Sequence, residues 1–224
     1  LDVGGGFEHD NFTAIAAVLR SAIAEHFPDE QFAPGGTRVA GLPNGLRIIA
    51  EPGRYFVQRA FSLATNIIAR RVSSGDEDNV AAVEPKPEAM YYQNDGTYGA
   101  FNCLIFDHQH VEPKVLSLGR EIVYGDDAAP DARLADKWAC SVWGPTCDSM
   151  DCILRMTHLP RALNVGDWLV YEGMGAYTLC AASNFNGLAS ARVRYTVGAD
   201  TLGDGAPEVL LARLRAAGTV AEAK

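Results

Sequence analysis

The sequence predicts an α/β unit followed by a mainly β region, and three observations carry that expectation. Three consecutive glycines, Gly4, Gly5 and Gly6, stand between a short apolar run and an amphipathic segment. A second apolar run, LRIIA at 46–50, follows a stretch rich in Gly and Pro. Beyond Tyr91, short runs with frequent Val, Tyr and Trp are cut by Gly, Pro and Asp at close intervals, the texture of strands joined by turns.

The elements follow in chain order. Phe12, Ile15, Ala16, Leu19, Ala22, Ile23 and Phe27 recur at helical spacing and predict a helix with one apolar face. Asp10 or Asn11 is placed to cap its start, and Pro28 to close it. FAPGGTRVAGLPNG at 32–45 reads as a loop, and LRIIA as a buried parallel strand. Strand end, helix, loop and strand make a βαβ unit, which belongs to α/β sheets or barrels. One such unit cannot close a sheet. Residues 56–63 predict a short helix and 66–72 an extended segment, while SSGDEDNV and EPKPE are loop-like. VLSLG, WACSVWG, WLVYEG and the segment around ARVRYTV predict strands, with NVGDW at 164–168 a turn between two of them. After Pro207, EVLLARLRAAG has helical periodicity.

The chain has 224 residues, enough for one large or two small domains. With 48% hydrophobic and 21% charged residues it has an ordinary globular composition. Its 19 basic and 28 acidic residues give a net charge of −9, which argues against nucleic acid or an anionic membrane as the main partner. No segment approaches the roughly 18 consecutive apolar residues of a membrane span. No basic-then-apolar leader opens the chain, and its five cysteines are an odd number. Together these predict reduced thiols in the cytoplasm.

Four stretches carry chemistry. Glycines between a strand and a helix let the backbone approach an anion closely, although a plain tight turn has the same pattern. In EPGRYF, Glu51 and Arg54 would share the carboxyl edge with those glycines if the two strands are parallel neighbours, and Arg54 would bring its planar fork to the same anion. A surface ion pair on a Pro-Gly turn is the alternative. In WGPTCDSMD, Cys147 stands beside Asp148, a proton donor next to a group that pairs with an ammonium, or else a structural thiol beside a polar turn. In YEGMGAYT, the hydroxyl of Tyr177 would complete a phosphate shell, or its ring would simply pack. CLIFDHQH places His108 and His110 two apart, on one side if the segment is a strand. Without a second tight cluster this falls short of a zinc site, so no metal is expected.

Taken together, LDVGGGF, EPGRYF, YYQNDGTYGAFNCLIFDHQH, WGPTCDSMD and YEGMGAYTLCAASNFNG resemble, in order and spacing, the eukaryotic ornithine decarboxylases, with a fungal flavour. These belong to the fold-type III, alanine-racemase-like decarboxylases that use pyridoxal 5′-phosphate (PLP). The resemblance covers about residues 1–196. It implies the last strands and one helix of a TIM-type (β/α)8 barrel at 1–60, a mainly β C-terminal domain at 61–196, and a tail, helical by its pattern, at 197–224. It implies conversion of L-ornithine to putrescine and CO2 by a homodimer with shared active sites. Gly4, Gly5, Gly6, Pro52, Gly53, Arg54 and Tyr177 would bind the cofactor. Glu51 would pair with its ring nitrogen. Phe106, Asp107 and Asp148 would meet the substrate, and Cys147 would return a proton after CO2 leaves. Cys147 and Asp148 would reach into the partner subunit's site, and Tyr98, Asp151 and Phe185 match interface positions.

The sequence departs from the pattern in places. Phe106 stands where Tyr is common, and the tail after Ala199 matches nothing in the family. None of Lys86, Lys114, Lys137 and Lys224 sits in the family's cofactor-lysine motif. The resemblance therefore implies the C-terminal part of a longer enzyme, silent by itself. A non-catalytic antizyme-inhibitor-like homologue, a decarboxylase of lysine, arginine or diaminopimelate, and a purely structural product are the alternatives.

Overall fold

The computed structural model describes residues 1–28, 47–73, 86–125 and 130–195. The loop at 32–45, most of SSGDEDNV, the start of EPKPE and the helical pattern after Pro207 fall outside these residues.

The expected βαβ unit is present only in part: among the described residues its two apolar runs come together in parallel at a single bridge and form no strand. Asp2 and Ile49 form a parallel bridge. Around it, Ile49 N donates to Leu1 O and Val3 N to Ile49 O, both at 3.0 Å, and Glu51 N donates to Gly4 O at 2.8 Å. Helix α1, Phe12–His26, lies between the two bridged runs in sequence. Ile15, Ala16, Leu19, Ala22, Ile23 and Phe27 are half-buried, so the periodic stripe is the inner face of the helix. Phe12 departs from it and is exposed.

Two details correct the sequence reading. Asn11 holds the N-cap position, but its side chain makes no cap bond to the helix. Instead Oδ1 accepts from Glu8 N at 2.8 Å and Nδ2 donates to Gly6 O at 3.0 Å, tying the glycine turn to the helix start. The LRIIA run is parallel but not buried. Ile48 and Ile49 are 42% and 44% exposed, because the pairing satisfies backbone groups at one edge while little packs on the faces.

The short helix comes earlier than 56–63. Helix α2 spans Gly53–Val57, a 3-10 turn covers Gln58–Ala60, and Leu63 already begins a strand. Pro52, with φ −77°, holds the N-cap, and its ring fixes the entry into the helix.

Seven strands follow: β1 Leu63–Val72, β2 Ala89–Gln93, β3 Lys114–Leu118, β4 Glu121–Ile122, β5 Lys137–Trp143, β6 Cys152–Pro160 and β7 Trp168–Tyr171, with a short helix α3, Cys103–Phe106, after β2. Among the described residues they form one sheet in the order β4-β3-β7-β1-β2-β5-β6. All neighbours are antiparallel except β2 and β5. Strand β1 serves two partners along its length. Leu63–Asn66 pair with β7 and Ile67–Val72 with β2, with an irregularity at Ile67/Ala69. Such a bulge lets a strand bend and twist, so one strand joins the two halves of the sheet.

The core lies on the inner face, with Ile67, Tyr91, Phe101, Leu118, Val142, Leu159, Leu163, Leu169 and Tyr171 nearly or fully buried. A polar chain crosses it: Thr65 Oγ1 and the Tyr171 hydroxyl both donate to Gln93 Oε1 at 2.9 Å, and Gln93 Nε2 donates to Asp95 O at 3.2 Å. The side chains of Thr65, Gln93 and Tyr171 thereby each keep a partner. Burial pushes the Tyr171 hydroxyl well above the ordinary tyrosine value and the Cys140 thiol up to about 11. NVGDW is a turn, as its sequence predicts. Gly166 has φ +93°, and the buried Asp167 accepts from Asn164 N and Gly119 N at 2.8 and 2.7 Å.

Two strand readings fail. ARVRYTV is not extended into a strand through Tyr195. CLIFDHQH begins as helix α3, and His108 has φ +51°, so His108 and His110 share no strand face. Among the described residues no three His, Cys, Asp or Glu side chains group at metal-binding range, and no helix is long and apolar enough to cross a membrane. Leu1–Ala191 form one compact unit. Of the second, from Arg192 onward, the described residues through Tyr195 hold no helix or strand. The described α/β layer amounts to one helix and one parallel bridge, and the seven-stranded sheet organises the rest.

Candidate active site

Hydrogen bonds and ion pairs gather the candidate residues into two sets. The first forms around the glycine turn. Gly4 and Gly6 have φ of +71° and +83°, a region that favours glycine, and a Cβ built on either would meet nothing within 4 Å. A Cβ on Gly5 would lie 3.0 Å from Glu51 O, so the turn packs directly against EPGR. This is the shared carboxyl edge that the sequence predicts for Glu51 and Arg54. Helix α2 then folds the Arg54 side chain inward, leaving it 7% exposed. Its Nε lies 3.4 Å from Glu8 Oε1, and its Nη2 pairs with Asp107 Oδ2. The Tyr177 ring lies 5.2 Å from the guanidinium carbon, a cation–π distance. The Tyr177 hydroxyl faces Gly53, 3.5 Å from where a Cβ would stand. Tyr177 itself has φ +54°, an uncommon backbone state for a bulky residue. Glu51 is exposed at the mouth of this turn, and Phe106 projects into solvent.

The second set forms where the loop after β5 meets the loop after β2. The Tyr98 hydroxyl donates to Asp148 Oδ2 at 2.5 Å, and Asp148 Oδ1 accepts from Met150 N at 2.9 Å. The Met150 N–H, and then the Tyr98 hydroxyl, hold the Asp148 carboxyl below its ordinary value, and the same bond raises the Tyr98 phenol. The Tyr98 and Phe185 rings stack at 4.1 Å. Cys147 is exposed beside Asp148. Asp151 is fully buried. It accepts from Thr97 N at 2.8 Å, Thr97 Oγ1 at 3.1 Å, Thr146 N at 2.9 Å and Thr146 Oγ1 at 2.7 Å. A Cβ on Gly96 or Gly144 would overlap its carboxylate, so those glycines make room for it. Asp151 thus ties the Tyr98 loop to the Cys147–Asp148 loop, while nothing in these contacts joins Asp107 to Asp148.

Sequence reasoning missed Glu8, the second carboxylate on Arg54, and Thr97 and Thr146, the donors to Asp151. The Arg54–Glu8 and Thr97–Asp151 partners lie 46 and 54 residues apart and leave no local signal, whereas Thr146 stands five residues before Asp151 inside WGPTCDSMD and was open to a local reading.

The fold and these sets define a class: a sheet domain that follows a βα unit, with a glycine turn packed on EPGR and a buried arginine three residues beyond Glu51. Residues 48–175 match the family model described as pyridoxal-dependent decarboxylase, C-terminal sheet domain, and the chain belongs to this family. It is 44% identical over 195 residues to an ornithine decarboxylase of Schizosaccharomyces pombe, covering 87% of this chain and 38% of the relative. It is 42% identical over 206 residues to antizyme inhibitor 2 of Xenopus laevis, covering 88% and 39%. Among solved structures it resembles the arginine decarboxylase of Paramecium bursaria Chlorella virus, with TM-score 0.61, 29% identity and coverage of 85% and 41%. A lysine/ornithine decarboxylase of Vibrio vulnificus complexed with cadaverine gives 0.57, 26%, 85% and 42%. The chain spans about two fifths of the length of the relatives it matches.

Proposed function

We propose that this chain supplies the phosphate seat and part of the substrate wall of a PLP-dependent decarboxylase that converts L-ornithine to putrescine and CO2. The observation that carries the reading is the convergence of buried Arg54, the open glycine turn and Tyr177 on one place. These residues fit a phosphate. The turn leaves open space where side chains would otherwise stand, and the guanidinium offers a planar fork for anionic oxygens. Gly4, Gly5, Gly6, Pro52, Gly53, Arg54 and Tyr177 would hold the cofactor. When bound, PLP supplies the electron sink for the pair of electrons left as CO2 departs.

The chain's own residues supply the rest. Glu51, exposed beside the turn, would pair with the cofactor's ring nitrogen and favour its protonated form. Asp148, held ionised by the Met150 N–H and the Tyr98 hydroxyl, is suited to a substrate ammonium, with Asp107 and Phe106 on the other side. Cys147, exposed on the same loop, would be the proton donor at the substrate carbon once CO2 has left. The two sets of residues lie apart within one chain, which supports a homodimer in which each Cys147–Asp148 loop completes the partner subunit's site. Tyr98, Asp151 and Phe185 then stand at that junction. Residues 1–60 would be the last part of a (β/α)8 barrel, 61–196 the sheet domain and 197–224 a tail. Five free cysteines favour the cytoplasm.

The test is CO2 release from L-ornithine by the full-length protein that carries this chain. Release from lysine, arginine or diaminopimelate but not ornithine would sink the substrate assignment. The similarity to an antizyme inhibitor gives a second reading, binding without catalysis. A full-length protein that takes up PLP and turns over ornithine excludes it.

A further inference from the structure

We propose that Asp107 is an internal anion that holds the Arg54 seat until a phosphate takes it, and that this exchange frees Asp107 to bind a cation. The inference rests on the phosphate-seat reading above.

Arg54 is almost entirely withdrawn from water, and a buried guanidinium needs a counter-charge. Here it has two, Asp107 at Nη2 and Glu8 at Nε. A phosphate arriving at this set would place a third anionic group around one cation. Like charges so close repel strongly where water is scarce, so one carboxylate has to leave.

Asp107 is the one built to leave. Among the described residues its carboxylate makes no hydrogen bond to a neutral group, and Arg54 is its only ion-pair partner. It sits at the C-cap of α3, with φ −131°, between exposed Phe106 and His108 at φ +51°. Its side chain is 37% exposed, so a rotamer change turns it to solvent without moving the helix. Glu8, about equally exposed, has a second holder: Gln109 Nε2 donates to its Oε1 at 3.4 Å.

One carboxylate therefore has two alternative uses, as the surrogate for phosphate on Arg54 or as an acceptor for an ammonium group. Phosphate and cation would bind with positive coupling, equal in both directions by linkage. An anion-free site would have weak affinity for a diamine, which keeps the cation out until the anion is seated.

Calorimetric titration of the full chain with inorganic phosphate, in dilute phosphate-free buffer, tests this. Asp107→Asn should bind phosphate at least ~10-fold more tightly than the parent, since a charge-assisted competitor has been removed. Glu8→Gln makes the same charge change at the same arginine and should gain clearly less. Asp107→Ser should repeat the gain, which separates it from any distortion by the asparagine. With phosphate present, 1,4-diaminobutane should bind the parent more tightly than without it, and Asp107→Asn should lose that coupling. If Arg54→Gln abolishes phosphate binding while Asp107→Asn and Asp107→Ser bind no more tightly than the parent, the internal-anion proposal is wrong and the seat remains. If Arg54→Gln binds phosphate as the parent does, or no variant binds it, the seat is wrong and the proposal falls with it.

Discussion

Replacing Asp151 with Asn tests the tie between the two loops that carry Tyr98 and Cys147. The carboxylate accepts four hydrogen bonds, two from backbone N–H groups and two from threonine hydroxyls. Asparagine has nearly the same shape but only one acceptor oxygen. Whichever way it turns, its NH2 group faces a backbone N–H, of Thr97 or of Thr146, together with that residue's hydroxyl. The hydroxyl can rotate to accept, but the N–H cannot. The variant therefore loses at least one bond to a charged acceptor and sets a donor against a donor in a buried place. Bonds to charged groups contribute about 1.5–3 kcal/mol each, and a stranded buried donor costs about 1–3 kcal/mol. Thr146 is only half-buried, so the lower part of the combined range applies, ~3 kcal/mol. For a chain of 224 residues this corresponds to a fall in Tm of roughly 6–12 °C. Urea unfolding of parent and variant, followed through tryptophan fluorescence, would measure it, since Trp143 ends β5 just before this loop. A variant within about 0.5 kcal/mol of the parent, the range of a plain surface change, would refute the account of Asp151 as a buried tie.

Tyr98→Phe should raise the Asp148 pKa partway toward its ordinary value of 3.8, because the Met150 N–H still lowers it. A folded pKa below the unfolded one means that the stabilisation is present above 3.8 and is lost as pH falls through the lowered value; a carboxylate titration by NMR unchanged in the variant would contradict this. Gly175→Ala places a methyl group on Val57 O and 3.1 Å from Gln58 O, both backbone atoms, so it should destabilise by about 3 kcal/mol or more, checked by thermal unfolding. Glu51→Ala in the full-length protein should slow decarboxylation by about 100-fold or more, the usual scale for losing a charge partner of the transition state, whereas a loss under about threefold would mark Glu51 as a surface residue. Cys147→Ala should leave PLP uptake intact and lower the putrescine formed per CO2 released; an unchanged ratio would make the thiol structural.

The local features of this protein were written in its sequence. The α1 stripe from Ile15 to Phe27 is its inner face, since apolar spacing at the helical period leaves one side to bury. The glycine turn and EPGR share an edge, because the two apolar runs around the helix meet in parallel at a bridge. NVGDW turns because Gly166 can take φ +93°. The order of motifs also pointed to the family that the comparison assigns. Other features were decided only by the tertiary structure. Strand β1 changes partner midway, a choice made by neighbours distant in sequence. Arg54 is enclosed between Glu8, Asp107 and Tyr177, and Asp151 is closed off by Thr97 and Thr146. Periodicity records which side of an element avoids water. Which charge a buried group meets depends on loops brought together after the chain has folded, and residue spacing carries no trace of that.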